Sequence, residues 1–113
     1  MTAIRDDALL NLQRATFQYF LKEVNPLNGL VRDSTRECAP SSITAVGLGL
    51  ATYAVGAECG FIPRKEAVRR TLTTLRFFWN SAQGKERDAT GYKGFYYHFL
   101  DMQTGRRTWR SEL

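Results

Sequence analysis

The stretch SSITAVGLGLATYAVGAECG, residues 41–60, decides the fold because all but one of its positions are uncharged and most are apolar or small. Ser41 or Ser42 can cap a helix, since a serine hydroxyl accepts a hydrogen bond from a backbone N–H of the first turn. Gly60 is typical of the residue that follows a helix. Between them, residues 43–57 carry apolar side chains nearly all round and predict a helix buried on most sides.

The same region contains an uncharged run, residues 38–57, whose 20 positions match the length of a membrane span. Three glycines, four serine or threonine residues and Pro40 dilute its apolar content. The composition therefore favours a helix inside a larger helical protein over a membrane span.

Two further helices flank this one in the sequence. Residues 6–24 carry apolar positions at helical spacing and predict a helix with an apolar stripe. This helix starts at two aspartates and ends at Asn25-Pro26, because proline disfavours helical geometry in the residue before it. Residues 63–80 start with Pro63, which suits the first helical position. Arginines and a lysine lie largely away from the apolar stripe of this third helix and indicate a solvated face. The stripe consists of Val68, Leu72, Leu75, Phe78 and Trp79.

The C-terminal segment GFYYHFLD-MQTG-RRTWRSEL, residues 94–113, predicts a β-hairpin with its turn at residues 102–105. The expected order is thus helix, buried helix, amphipathic helix, hairpin. Because the two other helices cannot surround the buried one, the chain is expected to belong to something larger.

Bulk composition narrows the function classes. The 113 residues suit one domain, and the net charge is +5. The longest run of adjacent basic residues is two, so the sequence does not favour nucleic-acid binding. Two cysteines without a CxxC pattern and a single histidine predict no metal site. The start, MTAIRDDALL, lacks the apolar core of a signal peptide, so the chain as written is expected in the cytoplasm.

Four segments carry a family resemblance: LQRATFQYFLKEVNPLNGLVRD (12–33), SITAVGLGLATYAVGAECGFIPRKEA (42–67), TLTTLRFFWNSAQG (71–84) and GYKGFYYHFLDMQTGRRTWRSEL (91–113). Together they resemble the N-terminal part of the bacterial glucoamylase-like domain. That family includes β-1,2-glucan hydrolases and a related domain of cyclic β-1,2-glucan synthases.

The resemblance implies a mainly α fold, an (α/α)6 toroid with six inner and six outer helices. Residues 43–57 would be an inner helix and residues 63–80 an outer one. Twelve helices with their loops need roughly 200 residues, so we expect an N-terminal fragment of one domain that is inactive alone: three long helices plus a C-terminal β-hairpin. Relatives often act outside the cytoplasm.

The resemblance implies that the family's full-length members hydrolyse β-glucans, with β-1,2-linked glucans as the expected substrates, by carboxylate acid/base chemistry without a cofactor. The expected partner is an oligo- or polysaccharide, with no nucleic acid and no membrane span. Two alternatives stay open: a domain of a cyclic β-1,2-glucan synthase, and a small basic helical binding module.

Candidate catalytic residues are Glu112 and Asp101, because glycoside hydrolysis uses two carboxylic acids. Glu112 lies in Trp109-Arg110-Ser111-Glu112-Leu113, which matches a W-x-S-E-L stretch that the resemblance places at the cleft. Arg110 stands where many relatives are expected to carry an acidic or amide residue. Asp101 has a structural alternative, a turn-end hydrogen bond or a pair with Arg106.

Candidate substrate-binding residues combine aromatic faces with polar partners, which suit the faces and hydroxyls of sugar rings. The alternatives are a packed aromatic run, a half-buried structural histidine and an aspartate that closes a turn. The candidates are Trp109, Tyr97, His98 and Asp33.

Overall fold

The computed structural model describes the backbone of residues 3–113 and the side chains of residues 6–113. In chain order, its elements are α1 (Ala3–Lys22), β1 (Ser41–Ser42), α2 (Ile43–Glu58), α3 (Arg64–Trp79), β2 (Gly91–Tyr92), β3 (Phe95–Tyr96) and β4 (Phe99–Leu100). The predicted mainly α chain with three long helices is confirmed.

The first turn of α2 is closed by two hydrogen bonds. The Ser42 hydroxyl accepts from the Thr44 N–H at 3.2 Å, as the capping pattern predicts. The His98 carbonyl accepts from the Ile43 N–H at 2.9 Å. The start of α2 is therefore tied to the C-terminal part of the chain.

One face of α2 is buried and the other is open. The buried face carries two glycines among larger residues: Val46, Gly49, Tyr53 and Gly56. On the opposite side, Leu48 is 56% exposed and Val55 is 45% exposed. The residues that the structure describes thus bury only one face of α2, whereas the sequence predicts burial on most sides.

Two hydrophobic clusters lie against α2. The first joins the loop before β1 to the C-terminal segment and contains Leu30, Val31, Val46, Leu100 and Met102. The second joins α1, α2 and the start of α3 and contains Phe17, Tyr53, Ile62 and Ala67. The Tyr53 hydroxyl donates to the Phe20 carbonyl at 3.2 Å, so its buried polar atom is satisfied.

The first half of α1 extends away from these clusters. The side chains of residues 6–16 are exposed, including Leu9 and Leu10 of the predicted apolar stripe. The helix joins the core at Phe17, whose ring occupies the space that a side chain at Gly56 would need. The absence of a Cβ at Gly56 therefore sets how closely α1 approaches α2.

The predicted apolar stripe of α3 faces outward in the described chain, with only Phe78 half-buried. Small or polar residues, Ala67 and Thr74, occupy the buried face instead. The Arg70 guanidinium lies over the Tyr53 ring at 5.8 Å and pairs with Glu66 at 2.9 Å. Four stripe residues are exposed: Val68, Leu72, Leu75 and Trp79.

The single C-terminal hairpin predicted from the sequence is formed only in part. The structure has a short hairpin, β2 with β3, closed by Lys93 and Gly94, whose positive φ values of 52° and 87° suit a tight hairpin turn. The chain then leaves this sheet, and β4 pairs antiparallel with β1, with Ser41 opposite Leu100 and Ser42 opposite Phe99.

The turn predicted at residues 102–105 does exist. Asp101 and Arg106 face each other across it, with the Asp101 N–H donating to the Arg106 carbonyl at 2.8 Å. The return strand is reduced to one bridge, between Leu100 and Arg107. Trp109 and Arg110 have φ values of 58° and 51°, and this left-handed geometry ends the pairing.

Within residues 3–113, no helix is both long enough and apolar enough to cross a membrane.

Two glycines of α2 provide a matched test of the α1 contact. We expect Gly56→Ala to lower the free energy of unfolding by about 1–3 kcal/mol, because its Cβ would lie 2.3 Å from Phe17 Cζ. Gly47→Ala meets nothing within 4 Å and should raise stability by up to about 1 kcal/mol. Urea denaturation followed by circular dichroism measures both. Equal effects of the two substitutions would contradict this packing.

The orientation of α3 can be tested with two leucines. Leu75 is 50% exposed and Leu100 is fully buried. Leu75→Ala should change the free energy of unfolding by no more than about 0.5 kcal/mol. Leu100→Ala should cost about 2–5 kcal/mol, because it leaves a cavity in the first cluster. A large loss at Leu75 in thermal melts would show that the stripe is covered.

Candidate functional site

Two of the predicted site residues, Asp33 and His98, meet at the N-terminal end of α2, and the Glu112 backbone is hydrogen-bonded to His98. The pairing of β4 with β1 brings residues 98–100 beside residues 41–43, although they are far apart in the sequence. The loop that contains Asp33 reaches the same place, since the Asp33 N–H donates to the Pro40 carbonyl at 2.8 Å. The N-terminal end of α2, a loop and a strand end thus meet here.

An open cavity of about 390 Å³ lies at this point. Asp33 and His98, both predicted from the sequence, line the same cavity. The other lining residues come from α1, β1 and α2: Tyr19, Phe20, Ser42, Thr44, Ala45 and Leu48. The cavity therefore combines a carboxylate, an imidazole and hydroxyl groups with an apolar wall.

Tyr19 is held rigidly at the edge of this cavity. Its hydroxyl donates to the Arg32 carbonyl. Burial raises the pKa of Tyr19 above its usual value of 10.0, and the negative charges of Glu23 and Asp33 raise it further. The phenol therefore stays protonated at neutral pH and presents a neutral polar group.

The backbone of Glu112 is fixed beside His98. The His98 N–H donates to the Glu112 carbonyl at 2.7 Å. The buried Ser111 hydroxyl both accepts from the Phe99 N–H and donates to the Phe99 carbonyl, each at 3.1 Å. Arg107 Nε donates to the Ser111 carbonyl at 2.7 Å. This network holds the exposed Glu112 next to the cavity that contains His98.

Trp109 presents an open aromatic face near Glu112. Its side chain is 63% exposed, and its ring lies 5.1 Å from that of Phe99. The His98 ring also stacks on the Phe99 ring, at 4.3 Å. Since Trp109 has a left-handed backbone, its position follows from the surrounding bonds and not from local preference.

Tyr97 and Asp101 lie apart from this cavity. The Tyr97 ring packs against the first cluster and under the Arg107 guanidinium, 4.2 Å away. Asp101 Oδ1 accepts from the N–H groups of Gln103 and Thr104, at 2.9 and 2.8 Å. These bonds realise the predicted turn-end alternative, whereas the recorded ion pair of Arg106 is with Asp88 at 3.5 Å.

No protein-family model matches the chain. An exo-β-1,2-glucooligosaccharide sophorohydrolase (non-reducing end) from Parabacteroides distasonis is 32% identical over 103 residues, which cover 89% of this chain and 13% of that protein. The structure of a candidate glucoamylase from Bacteroides uniformis aligns with a TM-score of 0.72 and 29% identity, over 88% of this chain and 23% of that one. The resemblance to part of the glucoamylase-like β-1,2-glucan hydrolases is confirmed.

The structure of an endo-β-1,2-glucanase from Chitinophaga pinensis, solved with sophorotriose and glucose, shares the fold of this chain over the aligned part. Its TM-score is 0.70 at 24% identity, over 88% of this chain and 24% of that one. The chain thus spans about an eighth of the curated relative and about a quarter of the two solved structures.

Several residues at or near the cavity at the start of α2 have no signal in the sequence alone. Tyr19 and Thr44 line the cavity because helices α1 and α2 converge there. Arg107 and Ser111 hold Glu112 through bonds that span different segments. Only Ser111 could have been found, since it belongs to the quoted W-x-S-E-L stretch. No group of three potential metal ligands occurs among the residues described.

The hydrogen bonds to Asp101 in its turn make the stability of the chain depend on pH. Hydrogen bonds from the Thr104 and Gln103 N–H groups hold the pKa of Asp101 below its usual value of 3.8. The stabilisation is therefore fully present above pH 3.8 and is lost as the pH falls through the lower pKa of the folded state.

We expect Asp101→Ala to lower the free energy of unfolding at pH 7 by about 1 kcal/mol, because three donors lose their acceptor. Asp101→Asn, whose amide oxygen still accepts, should lose less. Urea denaturation from pH 7 to pH 2 should show the Asp101→Ala deficit shrinking at low pH. A deficit that is constant with pH would contradict the role of the charge, and Asp88→Ala serves as the exposed control.

Proposed function

We propose that the chain forms part of a glycoside hydrolase domain that acts on β-glucans, with β-1,2-linked glucans as the preferred substrate. One observation carries this proposal. Asp33 and His98 line one cavity at the start of α2, in a chain that is 32% identical to a sophorohydrolase. The Glu112 backbone is hydrogen-bonded to His98, and the exposed Trp109 ring lies against Phe99. These are the residue types that glucan binding and cleavage require.

The cavity at the start of α2 suits a sugar ring. Asp33 can accept hydrogen bonds from ring hydroxyls, and the His98 imidazole and the Thr44 hydroxyl can exchange further ones. The exposed Trp109 indole offers an apolar face for a neighbouring ring. Leu48, 56% exposed, extends the apolar wall along α2.

We assign Glu112 as the favoured acid. In this chemistry, one carboxyl group protonates the leaving glycosidic oxygen, while a second carboxylate activates water or attacks the sugar carbon. Glu112 is exposed on a backbone that four hydrogen bonds fix beside the cavity. A proton donor must first lie within hydrogen-bond distance of the oxygen that it protonates, and only then does its pKa matter. A fixed backbone position therefore favours Glu112 in this role.

Asp101 is the weaker of the two catalytic candidates. Its pKa is held below 3.8, so at neutral pH it is ionised and suits a base or nucleophile, not an acid. Its Oδ1 already accepts three hydrogen bonds within the turn. A catalytic role would require the turn to give up part of this network.

We further propose that the working domain is a larger toroid, of which these residues supply α2 as an inner helix and α3 as an outer one. A groove of about 510 Å³ runs between α2 and α3 and is lined by Ala54, Ala57, Val68 and Leu72, among others. Leu75 and Trp79 extend the open apolar face of α3. Further helices of the domain would bury these faces, and the chain alone would bind glucan without cleaving it.

The proposal is tested by titrating the chain with sophorotriose, a β-1,2-linked trisaccharide, and with the β-1,4-linked cellotriose. We expect weak binding of sophorotriose, with NMR amide shifts at residues 33, 98, 109 and 112, and weaker binding of cellotriose. Trp109→Ala should reduce the affinity about five- to tenfold, because a stacked ring loses its platform. Trp79→Ala, which removes a tryptophan that is even more exposed, at 88%, and lies on α3, should leave the affinity unchanged.

A chain that binds both sugars equally, or whose shifts map to α3, would contradict the proposed site. Glu112→Gln distinguishes binding from chemistry. It should retain the sophorotriose shifts, because the acid acts on the bond and not on ring recognition. Activity towards sophorotriose in the 113-residue chain would contradict the proposed need for further helices.

A further inference from the structure

A second cavity, of about 500 Å³, lies at the C-terminal end of α3. It is open to solvent and is bordered by the last turns of α3, the loop after it, the turn at residues 102–105 and Leu27. None of its lining residues belongs to the cavity at the start of α2. The candidate glucan site therefore leaves this cavity without a role.

The charged residues that line this cavity are both arginines, Arg76 and Arg106, and no carboxylate lines it. Arg106 has one long ion pair, 3.5 Å to Asp88, and both side chains are largely in solvent. Among residues 6–113, Arg76 makes no ion pair. Arg76 and the weakly paired Arg106 can therefore each offer guanidinium donors to an anion in the cavity.

The hydroxyl groups of the cavity have already committed their protons. Thr73 donates to the Arg69 carbonyl at 3.0 Å, and Thr90 donates to the Gly105 carbonyl at 2.8 Å. Ser81 donates to the Phe78 carbonyl at 2.7 Å. Their remaining lone pairs can only accept, so a ligand that fits must itself offer O–H donors.

The complementary ligand therefore carries an anion for the arginines and hydroxyl groups for the acceptor oxygens. We propose that this cavity binds a sugar that bears a carboxylate or a phosphate, at a site separate from the one at the start of α2. Phe77, which lines the floor, provides an apolar surface for the ring. The planar guanidinium groups suit both anions, because each can bind two oxygens at once.

Two acids near the cavity limit its affinity. Asp88 pairs with Arg106, and Asp101 accepts a hydrogen bond from the Thr104 hydroxyl at 3.2 Å. Thr104 itself lines the cavity. We therefore expect millimolar binding, of a strength that rises when salt is lowered.

Four probes separate the possibilities in an NMR titration of the full chain: glucose 6-phosphate, glucuronate, glucose and inorganic phosphate. We expect at least one of the two anionic sugars to shift the amides of residues 76, 80, 90 and 106, and to bind about tenfold more tightly than glucose. Binding of only one of them identifies a phosphate or a carboxylate as the natural group. Equal binding of glucose overturns the anion requirement, and equal binding of inorganic phosphate overturns the sugar requirement.

Charge-matched variants test the location. Arg76→Gln and Arg106→Gln should each weaken the anionic sugar about tenfold, whereas Arg87→Gln, an exposed arginine outside the cavity, should not. Equal weakening by all three would mean that net charge alone attracts the ligand and would overturn the proposal. If Arg106→Gln fails to fold, Arg106→Lys keeps the charge but not the planar donors, and partial retention of binding is then expected.

Because this site shares no residue with the glucan cleft, the two proposals fail separately. Loss of sophorotriose binding in Trp109→Ala with intact binding of the anionic sugar supports two sites. Competition between sophorotriose and the anionic sugar for the same amides would overturn the separation.

Discussion

The first turn of α2 is the constraint on which the site depends. The first backbone N–H groups of a helix have no acceptor within the helix. Where the helix begins inside a protein, these groups must find other acceptors, because water is excluded. Ser42 supplies one locally, but the Ile43 N–H is satisfied by the carbonyl of His98, which lies far along the chain. Closing the helix therefore requires the C-terminal segment to dock, and docking carries His98, Trp109 and Glu112 to the loop that holds Asp33.

Packing against α2 explains why this docking is firm. Near the N-terminal end of α2, Leu100 and Met102 complete a cluster with Leu30 and Val31, and the Asn25 and Asn28 amides donate to the Met102 carbonyl at 2.9 and 3.1 Å. Near its C-terminal end, Gly56 admits the Phe17 ring. Both clusters use one face of α2, and the opposite face, with Leu48 and Val55, stays exposed.

The turn at residues 101–105 separates two chemically different surfaces. On the α2 side, carboxylates, an imidazole and an indole meet, which suits neutral sugar rings. On the α3 side, Arg76 and Arg106 face hydroxyl oxygens that can only accept. Asp101 stabilises this turn by accepting hydrogen bonds from the Gln103 and Thr104 N–H groups. Its carboxylate is therefore already used within the turn.

The sequence by itself determined the three helices, a serine cap at Ser41 or Ser42, the turn after Asp101 and the family resemblance, because each rests on neighbouring residues or on a motif. It also named Asp33, His98, Trp109 and Glu112 as candidates. Only the tertiary structure decided that the α3 stripe faces outward, that β4 pairs with β1, and that Asp101 and Tyr97 lie apart from the cavity. The physical reason is that periodicity shows that a helix has an apolar face but not what covers it, and that strand pairing depends on which backbone edges remain unsatisfied elsewhere in the chain.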